Sequence, residues 1–530
     1  MILLAICIIL VLLLLLLFLS TRSSIPTEAD IVIVGGGTAG FVVARRLSER
    51  FPHKKILVLE RGENNTNNPI IYNPKNGPYA AYHAPFSQVL TTNFPNVQIS
   101  LASTYGGGSS HNYSLAVKGS PDFYNNKWGP VLGLSYDQLQ PYFAKVDSMM
   151  QITPLPTSID VKSKILPVLT QGPGTAIKAA SIFLNKGALR AGDAFSDVVV
   201  QSIASTKNIP IVDNYNGHFE VCVSKTPQVF ISGSTGIRQE TFNTYLPADY
   251  RAKAKNLVIV PNATVTRVES DGVIWKNKNG QEVKMKAKKI IMAAGAIYTP
   301  FLLLKSGYSK VGQDLINHYG TTIVCSVEGV DEFSSASLAF VPYLSESSRD
   351  WQLVITGGVD DRLVGGQQTT GTRFSMLLWL LNPRSRGSIT SEGPIPTVNL
   401  NMFTDGGLDD PESDLSSTLS GLRWMYTVVQ EIRKAYPSIT ILYPPEEAMI
   451  QDNSDVLMGY VKNGVSVTDH YSVSCPLGTA VDPTTFNLIE NPKISVVDAS
   501  TFPNISNGNT TYPVLIMAEI ATARIAQNLT

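Results

Sequence analysis

The chain is poor in cysteine and carries no net charge. Only 4 of its 530 residues are cysteines. Cys7 falls in an apolar run, and Cys222, Cys325 and Cys475 leave an odd number in the body, so no complete disulfide framework is implied. Charged residues make up 16%, with 42 bases against 42 acids. That balance excludes a general electrostatic attraction for nucleic acid or an anionic membrane, and no nucleic-acid partner is expected. Basic residues are also missing ahead of the first apolar run, Ile2 to Leu19, so the usual opening of a signal peptide is absent. Apolar residues make up 44%, with 40 Gly and 32 Pro, a globular composition rich in turns. The length exceeds the roughly 250–300 residues at which single cores divide, so two closely packed domains are expected.

The apolar run itself is uncharged and near the lower limit for a helix crossing a bilayer core of about 30 Å. Arg22 follows it, a single vote for a cytoplasmic C-terminal side. Two readings stay open: a signal peptide cut near Ser20 to Ser24, or an uncleaved membrane anchor. Residues 1–24 are set apart from the fold, and a secreted or membrane-anchored protein is expected. Asn-X-Ser/Thr triplets at Asn64, Asn262, Asn504 and Asn528 could carry glycan on a secretory route.

The body opens on Ala29 to Val34, a β-branched run that reads as a buried strand. Gly35-Gly36-Gly37-Thr38-Ala39-Gly40 supplies G-x-G-x-x-G, Phe41 to Phe51 has helical spacing, and Lys55 to Leu59 is a second strand ending at Glu60. Strand, glycines, helix, strand and acid in that order point to a dinucleotide site. Gly35 permits the tight turn. Gly37, with Thr38 and Ala39 at the helix start, lets backbone amides reach a pyrophosphate. Gly40 lets the helix lie close on the strand, and Glu60 can accept from ribose hydroxyls.

A second glycine stretch, Thr104 to Trp128, places Gly106, Gly107 and Gly108 before Ser109, Ser110, His111 and Asn112. Without Cβ atoms this backbone can approach a flat or charged ligand closely. Later, Lys289 to Ala293 reads as another buried strand, and Thr299-Pro300 sits where a helix begins.

Together these stretches resemble the glucose–methanol–choline (GMC) flavoprotein oxidoreductases, over nearly all of residues 28–530. The resemblance rests on GGGSSHN (Gly106 to Asn112), GAIYTPFLLLKSG (Gly295 to Gly307), VGQDLINH (Val311 to His318) and PRSRGSIT (Pro383 to Thr390). It continues through DHYSVSCPLG (Asp469 to Gly478), VVDASTFP (Val496 to Pro503) and NGNTTYPVLIMAEIA (Asn507 to Ala521). It implies an α/β fold: a Rossmann-like FAD-binding domain and a second domain built on an antiparallel sheet flanked by helices. The FAD-binding part is expected from 25–150, 210–310 and 465–530, and the substrate part from 151–209 and 311–464.

The resemblance also implies residue roles. Gly35, Gly37, Gly40 and Glu60 hold the adenosine diphosphate half of FAD, and Val265 touches the adenine edge through backbone. Gly107, Ser110, His111 and Asn112 lie along the flavin. Asp498 and Ala499 meet the ribitol or pyrophosphate, with Asn509 and Thr510 beside them. His470 aligns with the catalytic histidine and Asn509 with the second active-site residue. His111 stands where some members bind FAD covalently, and a histidine merely packed beside the isoalloxazine is the other reading. The implied reaction is oxidation of a small alcohol, with His470 as proton acceptor, Asn509 holding the oxygen and O2 or another acceptor reoxidising the flavin.

Several residues depart from the family pattern. Asp469 replaces an aromatic, and Tyr471 and Val473 replace Pro and Gly. Tyr512 replaces a small residue expected near the flavin face, and the Asp469 carboxylate is expected to raise the pKa of His470. Two other functions stay open: a hydroxynitrile lyase on the same fold, or a structural or packaging protein that keeps the fold, as in giant-virus fibres.

Overall fold

A computed structural model describes residues 26–74, 77–94, 97–154, 194–217, 219–330, 337–345, 348–357, 361–365 and 370–529. The signal-or-anchor expectation for residues 1–24, the membrane association it carries, and most of the 151–209 stretch lie outside the described residues. Among those described, no helix is long and apolar enough to cross a membrane.

One sheet has β1 (Glu28–Val34) near its centre. Helix α1 (Thr38–Arg50) leads to β2 (Ile56–Leu59), parallel to β1. Then come β3 (Leu257–Val260), parallel to β2, and the meander β4 (Thr264–Glu269), β5 (Gly272–Lys276) and β6 (Glu282–Met292). Strand β6 closes on β1 in parallel register. Helix α2 (Gly295–Lys305) follows it, and late in the chain β7 (Asn491–Val496) pairs parallel with β6 and α3 (Thr511–Gln527) ends the fold. Ile31 to Val34 and all of β2 are buried, as an unbroken β-branched run requires when both faces of a parallel sheet are covered.

Helix α3 packs against α1. Arg46 of α1 donates from Nε to both Glu519 carboxylate oxygens at 3.0 Å and from Nη2 at 2.8 Å, and the Tyr245 hydroxyl donates to the same carboxylate at 3.2 Å. This bidentate pair stitches the last helix of the chain to the first.

The second sheet runs in the order Thr440–Tyr443, Tyr319–Val327, Thr372–Leu380, Trp351–Thr356, Ser337–Val341, Cys222–Ser224, Ile211–Val212. Its long strands are antiparallel, and helix Asp414–Arg433 lies against it. Two details differ from the sequence-based boundaries. Ile211–Val212 and Cys222–Ser224, placed with the FAD-binding part, pair in this second sheet, and Ser466–Val467 adds to Tyr319–Val327. Strands this short have no periodicity that says which sheet they join. Cys222, Cys325 and Cys475 are all free and buried.

The carboxyl ends of β1, β2 and β6 and the starts of α1, α2 and α3 converge on one region, where ligands of open α/β sheets sit.

Candidate active site

A cavity of about 720 Å³ opens at this convergence, within the ordinary range of small-molecule and cofactor sites. Two glycine turns meet on its floor. Gly106 N donates to Gly36 O at 2.9 Å, Thr38 Oγ1 to Gly106 O at 3.2 Å, and Ser109 N to Thr38 Oγ1 at 3.2 Å. The contact is so close that a Cβ on Gly107, whose φ is +55°, would come within 2.7 Å of Gly37 Cα. Gly107 is required by that approach and by its positive φ.

Gly35, Gly37, Thr38, Ala39, Glu60, Gly107, His111, Asn112, Val265, His470, Asp498, Ala499, Asn509 and Thr510 all line this one cavity. Two sequence-derived candidates do not. Gly40 lies behind the turn, where a Cβ would meet Gly35 O at 2.0 Å, so it serves helix–strand packing. Ser110 is fully buried and its Oγ donates to Tyr105 O at 2.5 Å, bracing the glycine turn from beneath.

The nucleotide end is built from Glu60 and strand β4. Glu60 is buried, and its two carboxylate oxygens accept from Gly36 N and Gly62 N, each at 2.8 Å. Burial pushes its pKa up, offset in part by those amides. Strand β4 bulges between Val265 and Arg267, and Thr264, Val265 and Thr266 face the cavity there; bulges of this kind re-aim backbone groups. Sequence reasoning missed Arg61 and its neighbours. The guanidinium lies 4.4 Å over the Tyr298 ring and donates to Gln88 at 2.9 Å, while the Tyr298 hydroxyl donates to the same Gln88 oxygen at 2.6 Å.

Helix α1 begins at Gly37 with no side-chain cap, and α3 begins at Thr510 likewise. Both present uncapped amide ends to the cavity, a ready setting for anionic groups. Asp498 is less available to a ligand than the sequence suggests. Its carboxylate already accepts from Gly295 N at 2.9 Å, Thr299 Oγ1 at 2.6 Å and Ser500 N at 2.9 Å, which anchors α2.

Asn112 donates to Thr511 Oγ1 at 2.9 Å and accepts from Arg238 Nη1 at 2.7 Å. Beside it His111 Nδ1 is buried and has no partner among the described residues. Burial, then the nearby Arg238 charge, push the His111 pKa down to about 4, so the ring is neutral at pH 7.

At the far end stand His470 and Asn509. Asn509 Nδ2 lies 3.3 Å from His470 Nε2, and Gln352 Nε2 donates to Asn509 Oδ1 at 3.0 Å. His470 Nδ1 lies 2.9 Å from His318 Nδ1, and His470 N donates to Asn317 Oδ1 at 2.7 Å. The chain of bonds assigns the tautomer. With Asn509 Oδ1 accepting from Gln352, its amide N–H points at His470 Nε2, which must be a lone pair. The His470 proton then sits on Nδ1 and is donated to His318.

Burial first, and then His318, hold the His470 pKa well below the ordinary imidazole value, while burial pushes His318 down to about 3. This corrects the expectation that Asp469 raises the His470 pKa: the carboxylate turns away, to Tyr471 OH at 2.9 Å and Ser100 N at 3.4 Å. A second correction concerns Tyr512. It is fully buried, is absent from the cavity wall, and its hydroxyl donates to Asp147 at 2.8 Å between the rings of Phe143 and Phe230. His318 was within reach of sequence reading, as the last residue of VGQDLINH. Gln352, on a strand with no motif, was not.

A nucleotide turn and a histidine–amide pair line one cavity, the arrangement of a dinucleotide-binding site with polar groups poised for proton transfer. Sequence comparison agrees. Profiles of the GMC oxidoreductase family match residues 29–320 and 383–518, and the chain belongs to that family. Its cofactor is FAD, and the uncapped helix starts, the glycine contact and the partnerless His111 Nδ1 fit that group.

Pyranose dehydrogenase 3 of Leucoagaricus meleagris is 24% identical over 588 residues, covering 94% of this chain and 93% of that one. A truncated GMC-type inactive oxidoreductase of Acanthamoeba polyphaga mimivirus is 28% identical over 363 residues, covering 57% of this chain and 80% of that one. Among solved structures, formate oxidase of Aspergillus oryzae RIB40 superposes with a TM-score of 0.73 at 20% identity, over 96% of this chain and all of that one.

Proposed function

We propose that this protein oxidises the CH–OH group of a small alcohol. The observation that carries the reading is the His470–Asn509 pair, 3.3 Å apart and facing the same cavity as the nucleotide turn. When bound, FAD supplies the hydride acceptor. The substrate hydroxyl displaces the Asn509 N–H from the His470 Nε2 lone pair and lies against both side chains: His470 Nε2 takes the hydroxyl proton, and the Asn509 amide turns to donate to the oxygen and holds it. The alcohol thereby loses a proton and a hydride and leaves as the carbonyl compound. An external acceptor, O2 or another, then takes the two electrons.

His318 orients the base, and burial first and then His318 keep it neutral, so its Nε2 lone pair is available to a proton near neutral pH. His111, neutral and unpartnered at Nδ1, is the residue through which we propose the flavin is held covalently. The test is anaerobic mixing of the holoprotein with a panel of alcohols. Bleaching of the flavin band by an alcohol supports oxidation; cyanohydrin cleavage without bleaching favours the lyase; neither, with assembly into fibres, favours a packaging protein.

A further inference from the structure

The base has a second imidazole behind it, at the place where a carboxylate can hold an imidazolium. His318 Nδ1 lies 2.9 Å from His470 Nδ1, with the ring planes 89° apart. His318 is 1% exposed and does not line the cavity, so it meets no substrate. No carboxylate is among the groups that act on either ring. A carboxylate there would only stabilise the cation. A neutral imidazole, intrinsically as basic as its neighbour, can take the proton itself.

The two rings differ in what favours a cation. With His470 donating from Nδ1, His318 has its lone pair at Nδ1 and its own proton at Nε2. That Nε2 is buried and has no partner of hydrogen-bond geometry among the described residues. The backbone carbonyls of Ser506 and Leu381 nevertheless favour the protonated ring. No carbonyl is among the groups that act on His470, and the Asn509 amide faces its Nε2 at 3.3 Å. Carbonyl dipoles on one ring and an amide N–H against the other tilt a shared proton toward His318.

We propose that His318 is the resting place of the alcohol proton, handed on to it through His470. The proposal rests on the alcohol-oxidising reading and says where its proton goes. As the substrate O–H bond breaks, its proton bonds to His470 Nε2. The His470 Nδ1–H bond breaks in turn, and that proton bonds to His318 Nδ1. His470 ends neutral, protonated at Nε2 alone, and His318 ends as the cation with N–H groups at both nitrogens. The hydride leaves as described above, so the protein gains one proton for each alcohol oxidised. The carbonyl product then faces a neutral N–H, with the charge held one ring away from the cavity. When the external acceptor takes the electrons, the proton returns along the same two bonds. His318 touches none of the reacting atoms and acts through His470, as a positioning residue.

The test uses holoprotein with isotopically labelled histidine, its ring nitrogens read by NMR before and after anaerobic reduction by an alcohol, or by dithionite if no alcohol serves. The chain has 6 histidines, and His470→Asn and His318→Gln assign the two signals. Before reduction, His470 is expected to carry its proton at Nδ1 and His318 at Nε2. Afterwards His318 is expected to be protonated at both nitrogens and His470 at Nε2 alone. A doubly protonated His470 beside an unchanged His318, or no gain of a proton by either ring, overturns the inference. After reduction by an alcohol, either of those results leaves alcohol oxidation standing. A proton on His318 when only dithionite reduces the flavin supports the relay and sinks the oxidation reading.

A second arm reads the rate. His318→Gln offers an oxygen that accepts from His470 Nδ1 but cannot take the proton. It is expected to slow flavin reduction about a hundredfold, the low end of what a positioned proton acceptor contributes, while alcohol Kd, FAD content and melting temperature hold. A folded His318→Gln protein that is reduced at the wild-type rate overturns the inference. If His318→Gln does not fold, the labelled wild type, assigned through His470→Asn, decides alone.

Discussion

Gly37 and Gly40 lie on the same turn, yet the structure gives them opposite duties, and alanine separates them. A Cβ on Gly37 would meet nothing closer than Gly107 Cα at 3.8 Å and Ala293 O at 4.0 Å, ordinary contacts. The protein itself has room for it, whereas a phosphate drawn to the uncapped amides of α1 does not. Losing one hydrogen bond from those amides to a charged group costs about 1.5–3 kcal/mol, so Gly37→Ala should weaken FAD about ten- to a hundredfold with the apoprotein melting unchanged. A Cβ on Gly40 would lie 2.0 Å from Gly35 O, a backbone atom that cannot rotate away. Alanine gains about 1 kcal/mol of helix propensity, but overpacking costs 1–3 kcal/mol or more. Gly40→Ala should therefore lower the melting temperature by several degrees. The assays are FAD titration by fluorescence and thermal melting of apoprotein. Wild-type FAD affinity in Gly37→Ala, or wild-type melting in Gly40→Ala, would refute this division of roles.

The remaining expectations follow from charges and protons. Arg46→Ala strands the buried Glu519 carboxylate and should destabilise the fold by about 3–5 kcal/mol; thermal melting measures it, and Arg46→Met with Glu519→Met should recover much of the loss. His470→Asn should slow flavin reduction by roughly two to four orders of magnitude, the worth of a general base, with bound FAD unchanged by absorbance. Because the His470 pKa is depressed by burial and then by His318, the base stays neutral through the neutral range and activity is lost only as pH falls below the ordinary imidazole value. His318→Gln should move that acid limb upward. The profile is best read with a neutral alcohol in the Asp469→Asn background, since burial pushes Asp469 up to about 6, inside the same window. Acid precipitation of the holoprotein should leave yellow flavin on the polypeptide and His111→Ala should release it; colour wholly in the wild-type supernatant ends the covalent reading.

How much of this was legible in sequence depended on distance along the chain. Gly35 to Glu60 could be read because strand, turn, helix and acid are contiguous, and local physics dictates each piece. His470 and Asn509 were legible only through motif resemblance, since nothing local says that two residues so far from the glycine turn return to it. The pairing of His470 with His318 bridges two segments that meet only in the folded protein. Gln352 has no signal at all: its role exists because strand Trp351–Thr356 passes behind Asn509. Asp469 and Tyr512 show the converse error. Both stand close in sequence to site residues, yet the left-handed backbone at Asp469 and the start of α3 turn their side chains to other partners. The short strands at 211–224 went to the other sheet for the same reason, since pairing is decided by neighbours distant in sequence.

The central claim is that His470 and Asn509 hold an alcohol against the flavin. Anaerobic stopped-flow mixing of the holoprotein with small primary alcohols tests it most directly. The account predicts that at least one of them bleaches the flavin band in the wild type and fails to do so at comparable rate in His470→Asn. A flavin spectrum that no alcohol alters, or one bleached equally fast without the imidazole, would contradict it.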